Sequence, residues 1–253
     1  MSWRIANAAE VGTSHVTTGR PCEDSCWAQV DTTAAGMPVL SIFVADGAGS
    51  AARGGEGADL AVQEAASFIV DKLKLFEFGL SDDLAVSCVI AIREKLYSVA
   101  AAEGLTARDY ACTFLGVISS EQATLVLQVG DGGIVLDMGA GLEVPIVPMV
   151  GEYANMTHFI TDEDAVNVLE TKTLSGPAIR VAVFSDGLQR LALNMATNTP
   201  HEPFFAKFFS VLGNLPVDKE DEMNAALVRF LSSAAVNERT DDDKTLALAV
   251  RVS

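Results

Sequence analysis

Basic residues are scarce in this chain: 17 lysines and arginines stand against 34 aspartates and glutamates, for a formal net charge of −17. Such a surface repels nucleic-acid phosphates and anionic headgroups, so neither nucleic acid nor a membrane is an expected partner. No apolar run reaches the roughly 18 residues that a bilayer span needs. The opening MSWRIANAAEVGTSH lacks the basic and apolar blocks of a secretion signal, and a cytoplasmic location is expected. Cysteine is sparse as well. Cys22, Cys26, Cys88 and Cys112 form no CxxC pair and read as free thiols of a reducing compartment. Cys22 and Cys26 with His15 are a weak zinc candidate, because their spacing fits no standard site. Repeats, low-complexity tracts and long Pro/Gly/Ser linkers are missing, so residues 1–253 read as one domain.

What is present is core-forming material, since 49% of the residues are hydrophobic. Helical spacing of Ala61, Ala65, Phe68, Ile69 and Leu73 predicts an amphipathic helix over 57–76, entered through a glycine-rich stretch. A second helix follows. Ser81 caps it, Asp82 and Asp83 suit its positive end, Leu84, Cys88, Ile92, Leu96 and Val99 share a face, and Gly104 ends it. Strands are expected at 39–45, 112–118, 123–129, 133–138, 179–185 and 245–252, and a further helical pair at 202–213 and 219–236. Helices paired between groups of closely spaced strands argue for α+β layers with antiparallel sheets, not for alternating βαβ units.

Three apolar runs end in the same dipeptide: Asp46-Gly47, Asp131-Gly132 and Asp186-Gly187. A single Asp-Gly after a strand usually marks a hairpin turn, since both residues tolerate positive φ. Recurrence, with Asp241-Asp242-Asp243 just before the last strand, points to something else. If these strand ends converge, their carboxylates repel one another and some must protonate unless cations neutralise them. Oxygen-only ligands select hard ions such as Mg²⁺ or Mn²⁺, and a pair of them can activate a shared water and clamp a phosphate ester. A rival reading takes Gly47-Ala48-Gly49-Ser50-Ala51-Ala52 as a loose dinucleotide-binding turn, but a second helix follows where that fold needs a strand.

The ordered set GTSHVTTGRPCEDS (12–25), VADGAGS (44–50), ACTFLGVI (111–118), QVGDGG (128–133), VFSDGL (183–188) and DDKT (242–245) resembles the metal-dependent protein phosphatases of the 2C type, also called PPM, in a bacterial branch. The resemblance implies a four-layer α-β-β-α sandwich, two antiparallel sheets flanked by pairs of helices. It also implies hydrolysis of phosphoserine and phosphothreonine esters on proteins, with two Mn²⁺ or Mg²⁺ ions and room for a third. A phosphorylated protein and a cognate Ser/Thr kinase would be the partners. Asp46 would bridge both ions, Asp186 and Asp242 would complete one site, and Glu23 and the Gly47 carbonyl would serve the other. Asp24 would orient the attacking water, and Asp131 would help hold the third ion. Asp243 is the neighbouring alternative to Asp242.

The chain departs from the family pattern in two places. Ala48 stands where eukaryotic members carry a histidine that protonates the leaving group, which leaves His15 and His158 as candidates. Gly19 stands where the phosphate-binding arginine is expected, leaving Arg20 and Arg53 for that role. A flap is expected within 145–177, with GEYANMTHFITDED in it. The alternative function is an inactive binding or regulatory module of the same fold.

Overall fold

The computed structural model describes residues 2–147, 157–216 and 219–252. Two five-stranded sheets form its middle. One runs in the order β2 (Asp24–Thr32), β3 (Pro38–Asp46), β4 (Phe114–Ser119), β5 (Ala123–Val129) and β8 (Glu170–Ser175). The other runs β1 (Ser2–Glu10), β12 (Lys244–Val252), β9 (Arg180–Phe184), β6 (Gly133–Asp137) and β7 (Leu142–Glu143). All pairings within both are antiparallel. The helices are α1 (Thr13–Thr18), α2 (Gly54–Leu73), α3 (Asp82–Ala102), α4 (Gln189–Ala192), α5 (Glu202–Gly213), α6 (Glu220–Leu231) and α7 (Ala234–Asn237). A two-residue ribbon, β10 (Leu193–Asn194) with β11 (Thr199–Pro200), leads into α5.

Alternation along the central strands sorts their side chains into separate cores. On β3, Val39, Phe43 and Ala45 face α2 and α3, while Leu40, Ile42 and Val44 meet the opposite sheet. On β12, Leu246, Leu248 and Val250 face α5 and α6, while Ala247 and Ala249 point inward. These strands are covered on both faces, which is why they read as unbroken apolar runs. Phe43 stacks on Phe114 with centroids 5.6 Å apart, and truncating such a residue to alanine costs about 3–5 kcal/mol. The four expected layers are therefore helices, sheet, sheet, helices.

The helices keep to the expected positions with shifted ends. Ser81 caps α3, its hydroxyl accepting the Leu84 N–H at 3.3 Å. The first long helix starts at Gly54 instead of 57, because its glycine-rich entry is itself helical: a Cβ on Gly57 would lie 2.1 Å from the Tyr110 carbonyl oxygen. The stretch expected as one helix over 219–236 breaks at Ser232–Ser233 into α6 and α7. Of the expected flap, 148–156 lies outside the described residues; 157–169 forms turns ahead of β8. No helix among the described residues is long and apolar enough to cross a membrane.

Candidate active site

None of the three Asp-Gly steps closes a hairpin. Asp46 ends β3 ahead of the loop to α2, Asp131-Gly132 carries the chain from one sheet to the other, and Asp186 opens a 3₁₀ turn after β9. The glycines serve close approach and turning. A Cβ on Gly47 would lie 2.4 Å from the Gly54 carbonyl carbon, one on Gly187 would lie 2.1 Å from the Asp243 carbonyl oxygen, and Gly132 has φ +101°. Backbones that touch in this way bring their acids together.

The result is a cavity of about 210 Å³ lined by Asp46, Asp131, Asp186, Asp242, Asp243, the Gly47 backbone, His15, Thr113, Thr157 and Phe159. Its electrostatics are strained. Burial first, and then Asp24, Asp186, Asp242 and Asp131, hold the Asp46 carboxyl well above the usual range. Asp186 is pushed up to about 6 by burial, with Asp131 and Asp242 adding to it. Asp46 and Asp186 are near enough to share a hydrogen bond, yet Oδ1 of Asp186 is buried without a protein donor.

Asp24 lies behind this wall. Its Oδ2 accepts the hydroxyls of Ser185 at 2.7 Å and Thr245 at 2.8 Å, while Oδ1 is buried and unpartnered. Burial pushes its carboxyl up to about 7 against the pull of those hydroxyls. Both hydroxyl residues sit inside the quoted motifs, Ser185 before Asp186-Gly187 and Thr245 closing DDKT, but a motif match alone did not reveal what they hold. Thr113 and Thr157 were also missed. The Thr113 hydroxyl accepts the Asp46 N–H at 3.1 Å, and the Thr157 hydroxyl donates to Asp131 at 2.7 Å.

Asp242 and Asp243 take different roles. Asp243 is spent on the scaffold: its Oδ1 accepts the Gly12 N–H at 2.6 Å, and its Oδ2 accepts the Glu23 N–H at 2.6 Å with His15 Nδ1 at 2.9 Å. Asp242 accepts only the Asp243 N–H, at 2.9 Å, and so keeps an oxygen for the cavity. Glu23 and Arg20 are not part of the cavity lining: the Glu23 carboxylate lies 2.6 Å from Arg20 Nη2, while Arg20 Nη1 donates at 3.2 Å to the carbonyl of Gly49, which does line it. Arg53 is drawn elsewhere. Glu56 at 3.0 Å and Glu103 at 2.9 Å bind its guanidinium on the outer helices, so it does not line the cavity.

His15 is brought to the cavity; His158 is not. The ligand atoms of His158, Asp162 and Asp164 lie within 4.8 Å of one another, a tight trio outside the cavity lining, whereas the cavity's own acids are spread around its walls. The zinc candidate does not assemble among the described residues. Cys22 donates to the Asp24 carbonyl, Cys26 lies against Asn7, and burial raises both thiols.

A sandwich of two antiparallel sheets with this acid-lined cavity at the strand ends has the architecture of the metal-dependent phosphatases. Residues 11–232 match the family described as protein phosphatase 2C. The chain is 56% identical over 250 residues to serine/threonine-protein phosphatase 3 of Escherichia coli (strain K12), covering 99% of each. Among solved structures it resembles the serine/threonine phosphatase Stp1 of Staphylococcus aureus, with TM-score 0.62, 14% identity and coverage of 99% of this chain and 96% of that one. The catalytic domain of the phosphatase PstP in complex with two manganese ions is similar at TM-score 0.63, with 15% identity and 99% of each chain covered. The chain belongs to the protein phosphatase 2C family, on its bacterial side, and is an enzyme of the serine/threonine phosphatase class.

Proposed function

We propose that the chain hydrolyses phosphoserine and phosphothreonine esters on proteins at this cavity, with two Mn²⁺ or Mg²⁺ ions and a looser third. The carrying observation is the convergence of Asp46, Asp131, Asp186 and Asp242 on one cavity, where burial first and then their mutual repulsion lift Asp46 and Asp186. An all-oxygen donor set with an orphaned Asp186 Oδ1 fits hard divalent ions, which keep several waters and so tolerate acids spread around a wall. When bound, such a pair lowers the pKa of a water and offsets the charge of the phosphate.

Asp46 would contact both ions, Asp186 and Asp242 one of them, Glu23 and the Gly47 carbonyl the other, and Asp131 the third. Asp24 takes no ligand position. Its Oδ1 is left without a protein partner while Ser185 and Thr245 fix the orientation of the carboxyl through Oδ2, and from there it would position the attacking water. Arg20, bonded to the Gly49 carbonyl on the cavity wall, grips the phosphate; Arg53 is withdrawn from that role because its carboxylate partners hold it outside the cavity. His15, as an imidazolium whose Nδ1–H is held by the Asp243 carboxylate and the Pro21 carbonyl, gives the leaving alkoxide its Nε2 proton and is left as the neutral Nδ1–H ring; Nε2 has no hydrogen-bond partner among the described residues. The partners are a phosphorylated protein and the kinase that modifies it.

The test is turnover of a phosphothreonine peptide by the purified chain with Mn²⁺, with and without chelator. Turnover that chelation abolishes supports the proposal. An inert wild type means instead a binding module of the same fold.

A further inference from the structure

Beside the catalytic cavity opens a second one of about 620 Å³, and Thr157 and Phe159 line both. The smaller cavity, about 210 Å³, has room for a phosphate group and little more. The polypeptide that carries the phosphate must continue past it, and the larger cavity adjoins the site at Thr157 and Phe159. One wall is the turn at 107–110 with Arg108; the facing wall is the 157–163 segment, ending in Asp162 and Glu163.

That second wall is held firmly. From α3, Arg93 Nη1 donates to the Ile160 carbonyl at 2.6 Å and also to the Asp162 carbonyl, and the Tyr97 hydroxyl donates to the Thr161 carbonyl at 2.9 Å. The Asp162 carboxylate accepts the Phe159 N–H at 2.8 Å. Three consecutive carbonyls are thereby tied to one helix face, so little ordering remains to be done when a ligand enters. Glu163 and Arg108 are both exposed, and neither makes an ion pair among the described residues. Asp162 and Glu163 outnumber Arg108 in the cavity, and the whole chain carries −17. The local potential favours a cation on the 162–163 side and disfavours one beside Arg108.

Resting on the phosphatase reading above, we infer that this second cavity receives the substrate polypeptide flanking the phosphorylated residue and selects a basic side chain there through Asp162 and Glu163. Arg108 sets the polarity of the channel.

The experiment uses the full chain with Mn²⁺ and two phosphothreonine peptides that differ only in having Arg or Glu on both sides of the phosphothreonine. The readout is the ratio of their kcat/KM values, in which damage to the catalytic cavity common to both peptides cancels; turnover of p-nitrophenyl phosphate by the same variant reports that damage separately. The wild type should prefer the Arg peptide about fivefold or more. Glu163→Lys should bring the ratio to about one or below, and Arg108→Glu should raise it. A wild-type ratio of about one, or a ratio that neither variant moves, overturns the assignment of this cavity and leaves the phosphatase reading intact. No turnover of any of the three esters by the wild type overturns the phosphatase reading, and this inference with it.

Discussion

Asp24 and Asp46 stand directly opposite each other on the last rung of the β2–β3 ladder, at the end that meets the catalytic cavity. Like charges facing across a ladder destabilise a sheet. The rung holds because Ser185 and Thr245 take one oxygen of Asp24 and because burial lifts both carboxyls. Stability alone would not select such a pair.

Asp46→Asn should lower kcat by about a thousandfold or more, since it removes the one ligand shared between ions. The metal-free variant should melt no lower than the wild type, because a repulsive charge is gone. The stabilisation that Mn²⁺ gives the wild type should disappear. Thermal melts with and without Mn²⁺, run beside the turnover assay, check all three; wild-type turnover would contradict the ligand assignment.

Ser185→Ala and Thr245→Val each remove one hydroxyl from Asp24 Oδ2 and leave the cavity acids untouched. Loss of such a supporting bond typically costs about 10–100-fold in activity or metal affinity. Titrating Mn²⁺ against turnover separates the two effects.

Adjacent acids should fail differently. Asp242→Asn should abolish most activity with the fold intact, whereas Asp243→Asn should destabilise the chain by about 1–3 kcal/mol, since it weakens the acceptor for the buried Gly12 N–H and the half-buried Glu23 N–H. Urea melts of both variants distinguish them, and equal melts would refute the division of labour.

Stability of the metal-free protein should fall as pH rises through the range from about 4 to 7. Asp24, at about 7, and Asp186, at about 6, bind protons more tightly folded than unfolded, where an aspartate titrates near 3.9. The folded state therefore holds more protons across that window, so the slope of stability with pH is negative there. A drop in melting temperature of roughly 4 °C or more is expected, and saturating Mn²⁺ should flatten it. A metal-free profile that rises with pH would contradict the burial of these acids.

Arg20→Met should raise KM for a phosphopeptide by about tenfold, the cost of one charge-assisted contact to phosphate, while Arg53→Met should leave KM unchanged. Initial-rate measurements on the two variants decide which arginine meets the substrate.

The strands legible in the sequence were β3, β4, β5, β6, β9 and β12, and each has a neighbour on both sides. Those missed in the two large sheets, β1, β2, β7 and β8, are all edges, and the two-residue strands β10 and β11 of the small ribbon were missed as well. An interior strand covered on both faces must be apolar throughout and announces itself. An edge strand such as β8, ETKTLS, is largely exposed and carries no such run. The same limit governed the site. Asp46, Asp131 and Asp186 were visible because each interrupts an apolar run with glycine behind it, but Thr113, Ser185 and Thr245 look like ordinary strand residues until their hydroxyls have partners.

By itself the sequence determined the layered α+β plan and which acids stand at strand ends, because hydrophobic periodicity and glycine placement are local properties of a chain; the family came from the resemblance of its ordered motifs. Folding alone decided that Asp243 and not Asp242 is bonded into the scaffold, although both line the cavity, that Arg20 and not Arg53 reaches the Gly49 carbonyl on its wall, and that His15 and not His158 lines it. Those choices depend on hydrogen-bond partners up to 231 residues apart, such as Gly12 with Asp243, and no local pattern records where a distant segment will come to rest.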